Sequence, residues 1–265
     1  MFKIAILIIY IAVSASPLAG HLFFSIYDSS EILGQYDFNV LSLYWQITVE
    51  LSRVALAIIL FGALLNDDNP AVPSLKMLIT LVTLFFALSI AVSYFSIALG
   101  YTLDPNYILK KINNFEPMFE NNGGLINWLS VLKAAFLFCV LLPTLEEVIF
   151  RGYLLKQFLT KFGLIISIFI SSLCFALLHQ DILHVFVMSC VLGWVFYKFG
   201  LGVSIVTHCI HNLTLLVVNV LYFEIEGNYA LPSMDTSPYL PSIPQAIAIL
   251  FLVIFSKYIY RSVIK

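Results

Sequence analysis

The chain has 265 residues, 61% of them hydrophobic and only 11% charged, with a mean hydropathy of +0.99. A soluble domain carries about 25% charged residues, so this composition cannot cover a water-facing surface and reads as an integral membrane protein with the lipid bilayer as its surroundings. The formal net charge of −2 offers no electrostatic footprint for nucleic acid, and no Gly-rich phosphate loop is present.

A spanning helix needs about 20 mostly apolar residues. Eight segments qualify, at approximately 3–26, 40–65, 75–100, 125–145, 162–179, 182–198, 201–222 and 242–260. The predicted fold class is therefore all-α, a polytopic transmembrane bundle of about eight helices. No internal repeat or soluble domain interrupts it, so residues 1–265 read as a single membrane domain. The first segment has a rival reading as a signal peptide, with Lys3 before an apolar run and Ser14–Ala15 as small cleavage-site residues. The apolar run continues to Ile26, which favours retention. Glu50 and Arg53 sit three apart on one helix face and neutralise each other. Residues 101–124, ending Asn121–Asn122–Gly123–Gly124, read as an extramembrane loop with a turn. Residues 224–241, with Pro232, Pro238 and Pro241, read the same way.

Orientation follows from the loop cations. With the N-terminus in the cytoplasm, Lys3, Lys76, Arg151, Lys156, Lys161, Lys198, Lys257, Arg261 and Lys265 face inward. Only Lys110 and Lys111 face outward. Both termini are expected in the cytoplasm. Cys139, Cys174, Cys190 and Cys209 lie in apolar runs without a CxxC pair, and read as small buried hydrophobes, neither a disulfide framework nor a thiolate zinc site.

The polar residues inside these runs are the informative ones, because a charge near the bilayer centre costs roughly 2.5–3.5 kcal/mol on insertion scales. Glu147 and Arg151 are four apart and stack on one helix face as a charge-assisted pair. Glu146 lies about 100° round the helix, without that partner, and a carboxylate poised nearer neutrality is a useful general base. Phe175 and His179 are four apart, as are His208 and Asn212. His184 reads as a weaker interfacial candidate, His21 as interfacial, and His211 as a supporting group. Taken singly, each has a bland explanation as an interfacial or hydrogen-bonding residue. Together they form a set that activates water: a glutamate takes the proton, histidines orient water or donate to a leaving amine, and Asn with His stabilises an oxyanion. A Glu/His set equally binds zinc, which also activates water.

The order Glu-Glu-x-x-x-Arg (Glu146, Glu147, Arg151), Phe-x-x-x-His (Phe175, His179) and His-x-x-x-Asn (His208, Asn212) resembles the CAAX protease and bacteriocin-processing family. These Abi-type membrane proteins include the Ras-converting CAAX endopeptidase. The stretch Gly193 to Asn212, with its turn at Gly200 and Gly202, is similar to the family's joined sixth and seventh segments. The resemblance covers about residues 125–220, with the motif-bearing core at about 125–222. It implies an intramembrane endopeptidase that cleaves a peptide substrate with a glutamate-activated water. A prenylated CAAX-type C-terminus and a bacteriocin or signal peptide are the alternative substrates. Glu146 would activate the water, His179 and His208 would assist, Asn212 would help form the oxyanion site, and Glu147 and Arg151 would support. No cofactor is expected and no residue is assigned to a metal, and the glutamate and zinc routes to an activated water both stand. The membrane would be the plasma membrane of a bacterium or the endoplasmic reticulum of a eukaryote. The alternative function is a non-catalytic immunity or scaffold protein that binds a peptide in the same cavity. A proton-relaying transporter is disfavoured by the lack of repeated halves.

This reading contains one geometric conflict. It places Glu146 near the cytoplasmic end of the fourth segment and His179 near the far end of the fifth, about 24 Å away at 1.5 Å per residue. A break at Pro143, with residues 144–160 forming a second helix beneath the bundle, would reconcile them.

Overall fold

The computed structural model describes residues 73–113, 115, 117–229 and 240–259. The first two predicted segments, with His21, Glu50 and Arg53, lie outside the described residues. The two termini lie outside them as well, so the expected count of eight helices extends beyond the described residues. The described residues belong to one compact unit, Asp67–Lys265.

Helix α1 runs Leu75–Leu103, capped by Ser74, whose Oγ accepts from the Met77 amide at 3.3 Å. A short helix α2, Tyr107–Asn113, folds back beside its end. Gly100 permits that return, because a Cβ there would meet the Tyr107 ring at 2.6 Å. The predicted turn is a two-stranded hairpin, β1 (Asn121–Asn122) and β2 (Leu125–Ile126), with Asn121 opposite Ile126. Gly123 and Gly124 carry φ of 63° and 92°, the conformation a two-residue hairpin turn requires.

Helix α3 is Trp128–Leu159, 32 residues and apolar. It does not break at Pro143. Two stretches of it, Leu137–Leu141 and Val148–Leu155, are wound as π-helix. Proline lacks an N–H, and its ring collides with the carbonyl four residues back. The widened turn just before Pro143 relieves that collision, with the Leu142 N–H reaching back to the Leu137 carbonyl. Widened turns of this kind are frequent at functional sites. The helix that was expected to end at residue 145 therefore continues for several further turns, and no second helix lies beneath the bundle among the described residues.

Helix α4, Leu164–Ala176, has 13 residues, about 20 Å at 1.5 Å per residue. It is shorter than the span expected for residues 162–179. Its end is tightened by bonds from Leu178 N to Phe175 O and from His179 N to Ala176 O. Asp181 then caps helix α5, Ile182–Phe199, accepting from the His184 amide. Gly200, with φ 83° and ψ 177°, is the whole connection to helix α6, Leu201–Glu226. Helix α7, Ile243–Ile259, packs against α1.

Helices α1, α3, α5 and α6 are each long and apolar enough to cross a membrane. The fold is all-α and multi-pass, with the hairpin as its small strand content. Helix α5 packs against α1, α4 and α6, and α6 against α3. Leu81, Val195 and Phe199 form one apolar cluster, and Phe85, Met188 and Leu192 a second. At the hairpin end, Phe119 packs edge-on against Phe223, and Tyr229 donates to the Phe119 carbonyl at 2.8 Å.

Candidate active site

The continuous α3 resolves the geometric conflict. Glu146 stands about 20 Å back along α3 from Leu159, and His179 about 22 Å on from Leu164 at 1.5 Å per residue. The two antiparallel legs of the α3–α4 turn bring them level, inside the bundle. Arg151, counted among the inward-facing cations, is likewise interior.

A buried ion pair holds the site. Glu147 is 0% exposed and Arg151 1%, with Nη1 3.0 Å from Oε1 across one helical turn. The approach is close but not aligned with an N–H bond, so Nη1 lacks a hydrogen-bond acceptor among the described residues. Nη2 donates to the Ser189 Oγ at 2.8 Å and the Ser189 carbonyl at 3.2 Å. The guanidinium also lies 4.8 Å from the Phe175 ring centroid, which gives the Phe of Phe-x-x-x-His a cation–π role. Phe150 meets the same ring edge-on, centroids 5.0 Å apart. Glu147 accepts on its second oxygen from Ser204 at 2.6 Å. Its Oε1 lies 3.0 Å from His208 Nδ1. Residues from α3, α4, α5 and α6 thus close around one charge pair.

These contacts fix two tautomers. A carbonyl only accepts, so His179 Nδ1, 2.9 Å from the Phe175 carbonyl, carries a proton. A carboxylate paired with Arg151 also accepts, so His208 Nδ1 donates to Glu147. Both rings are gripped from behind, and both present Nε2 to Glu146. The distances are 3.9 Å from His179 to Oε1 and 3.9 Å from His208 to Oε2. Glu146 is the one member of the acid pair with access to the cavity, its side chain 26% exposed.

The cavity is about 330 Å³. Glu146, His179, His208 and Asn212 line one part of it, and Phe85, Phe138, Leu142, Met188 and Leu215 supply apolar wall. Asn212 donates from Nδ2 to the Phe138 carbonyl at 3.0 Å, which assigns the amide orientation. Its Oδ1 must then accept from His211 Nδ1 at 3.2 Å. The structure thus brings together all seven residues singled out by motif spacing.

It also adds residues. His184 and His211 line the cavity. The first, expected to be interfacial, lies with Nε2 3.0 Å from Ser89 Oγ. The second packs edge-on against Phe85 at 5.0 Å. Ser189 and Ser204 were missed. Ser204 lies four residues before His208 on the same helix face, a spacing that could have indicated it. Among the described residues, no three His, Cys, Asp or Glu side chains are arranged to hold a metal ion.

Outside the spans, Asp181 anchors the cavity's α5 wall. Burial would raise its carboxyl, but the Ser96 hydroxyl and Lys111, 2.9 Å away, outweigh this and hold it below the usual carboxylate range.

Fold and site together define a multi-pass helical membrane protein with a carboxylate and two imidazoles facing one interior cavity. Residues 128–214, about a third of the chain, match the Rce1-like family, type II CAAX prenyl endopeptidase Rce1-like. The resemblance seen in the motifs holds over this segment, which contains all seven motif residues. The sporulation-killing factor biosynthesis protein SkfC of Bacillus subtilis (strain 168) is 35% identical over 91 residues, which are 31% of this chain and 18% of SkfC. The chain thus matches less than a fifth of that relative's length. No solved structure matches.

Proposed function

We propose that the protein is an intramembrane endopeptidase of the glutamate type, with Glu146 as general base. The observation that carries this is the pair of equal gaps, 3.9 Å, between the two oxygens of Glu146 and the Nε2 atoms of His179 and His208. These gaps are too long for direct hydrogen bonds. They suit a water that touches the carboxylate and an imidazole at once.

In the proposed reaction, Glu146 takes a proton from water as the oxygen attacks the peptide carbonyl. The C–O bond forms and the carbonyl π-bond opens to an oxyanion. Asn212 supplies a donor to that oxyanion. As the C–N bond breaks, the proton passes to the departing amine, through Glu146 or an imidazole. Glu147 and Arg151 do not touch substrate in this scheme and hold His208 in its donating tautomer. The proposed substrate is a peptide within or beside the bilayer, and a prenylated CAAX-type C-terminus is the first to test, since the apolar cavity wall suits an isoprenoid.

The experiment is cleavage of a quenched prenylated CAAX peptide by the purified protein in detergent, wild type against Glu146→Gln, each with and without a chelator. Loss of cleavage in the variant, with its melting temperature kept and no effect of chelator on wild type, is the expected result. Retained cleavage by Glu146→Gln would sink the assignment. Chelator-sensitive cleavage restored by zinc would overturn the metal-free reading of water activation.

A further inference from the structure

We infer that Pro143 is a positioning residue for Asn212, acting through the Phe138 carbonyl; the inference rests on the endopeptidase reading for its catalytic part alone. In the widened turn, the Leu142 N–H is taken by the Leu137 carbonyl. The next amide along, which would serve the Phe138 carbonyl in the same pattern, belongs to Pro143 and has no hydrogen. Phe138 O is therefore left without that helical donor, and Asn212 Nδ2 fills the place at 3.0 Å.

Val140, two residues on, also has its carbonyl contacted by side chains. Val140 O accepts from Thr144 Oγ1 at 2.6 Å and from Cys209 Sγ, again on α6, at 3.8 Å. Side chains of α6 thus reach two carbonyls of the stretch before Pro143. On its other side, Asn212 is held by His211 Nδ1. The carboxamide is gripped at its oxygen and at one of its two N–H bonds, which leaves the second N–H as the donor for the reaction. The proline contributes by withholding a hydrogen bond. The substitution Pro143→Ala would return a backbone donor to this turn and free Asn212 to rotate.

The test is a double-mutant cycle of Pro143→Ala and Asn212→Ala on the full chain in detergent, read two ways. In thermal melts, Asn212→Ala takes away the side-chain donor of the Phe138 carbonyl when Pro143 is present and should lower the midpoint by about 3 °C. Made on top of Pro143→Ala, the same change should cost less than half as much. Equal shifts in both backgrounds would overturn the link between the two residues. In cleavage of the prenylated peptide, Pro143→Ala should lower kcat about tenfold with KM unchanged, as expected for a misplaced oxyanion donor, and should add nothing to Asn212→Ala. Losses that multiply would overturn the positioning role. If wild type leaves the peptide intact, the endopeptidase reading fails for this substrate, and the melting cycle still decides whether Pro143 holds Asn212.

Discussion

His208 Nδ1 lies 3.0 Å from Glu147 Oε1, so the imidazole is held from behind by a carboxylate that Arg151 and Ser204 hold in turn. The face left over, Nε2, can point only at Glu146. This relationship separates two adjacent glutamates into a buried strut and a group open to the cavity, and it makes their substitutions distinguishable.

Glu147→Gln removes the counter-charge of a guanidinium that is almost fully buried. Breaking one half of such a pair costs about 3–5 kcal/mol. The variant should melt well below wild type, whereas Glu146→Gln should not. Replacing both members, Glu147→Leu with Arg151→Met, should recover much of the loss. A double variant that melts below the single would show that the pair is not the source of the effect.

His179 and His208 are each expected to contribute about 10²–10⁴-fold to turnover, as groups that move or hold a proton do. His208→Ala should also destabilise, because it strips a donor from Glu147. His179→Ala should not, since its partner is a single carbonyl at a helix end. Kinetics and melting of the two purified variants check this, and equal stability losses would count against the different roles.

Asp181 supplies a pH dependence. Its carboxyl is held below the range of a free aspartate, which titrates near about 3.9 in an unfolded chain. Its contribution is therefore complete above about pH 4 and is lost as the pH falls through the folded value. Asp181→Asn keeps an N-cap residue but removes the charge facing Lys111. Melting from about pH 7 to about pH 3 should show wild type losing an advantage over the variant below about pH 4. Parallel curves would exclude Asp181 as the source.

Gly200 occupies φ 83° and ψ 177°, a region that essentially only glycine adopts. Gly200→Ala should cost about 1–3 kcal/mol and should disturb the placement of Ser204 and His208 one and two turns later. Gly202→Ala, where a Cβ meets open space, is the control. Equal melting of the two variants would contradict this account.

The ionic half of the site was legible in the sequence. Glu147 and Arg151 are one helical turn apart, and so are His208 and Asn212, and that spacing survives any tertiary arrangement. The depth of the site was not. Pro143 ordinarily breaks a helix, and nothing in an apolar run betrays the extra residue per turn that lets this one continue. Counting α3 as ended at residue 145 put Glu146 at an edge and His179 across the membrane from it. Ser189 and Ser204 escaped for a different reason. Serine in a membrane helix commonly bonds to its own backbone, as Ser167 does with the Gly163 carbonyl, so only the tertiary structure distinguishes the ones that hold a charge. His184 and His211 lie near helix ends or beside stronger motifs, where the plain reading of histidine usually suffices.

The local nature of the Glu147–Arg151 pair bears on biogenesis. Each charge alone would oppose insertion of α3 by roughly 2.5–3.5 kcal/mol, and the helices that later enclose them, α5 and α6, have not yet been synthesised when α3 enters the bilayer. Because the partners lie one turn apart on the same helix, α3 carries its own neutralisation and need not wait for a tertiary contact. Ser189, Ser204 and His208 then meet a charge pair already in place, which makes docking of α5 and α6 a step of recognition, not of rescue.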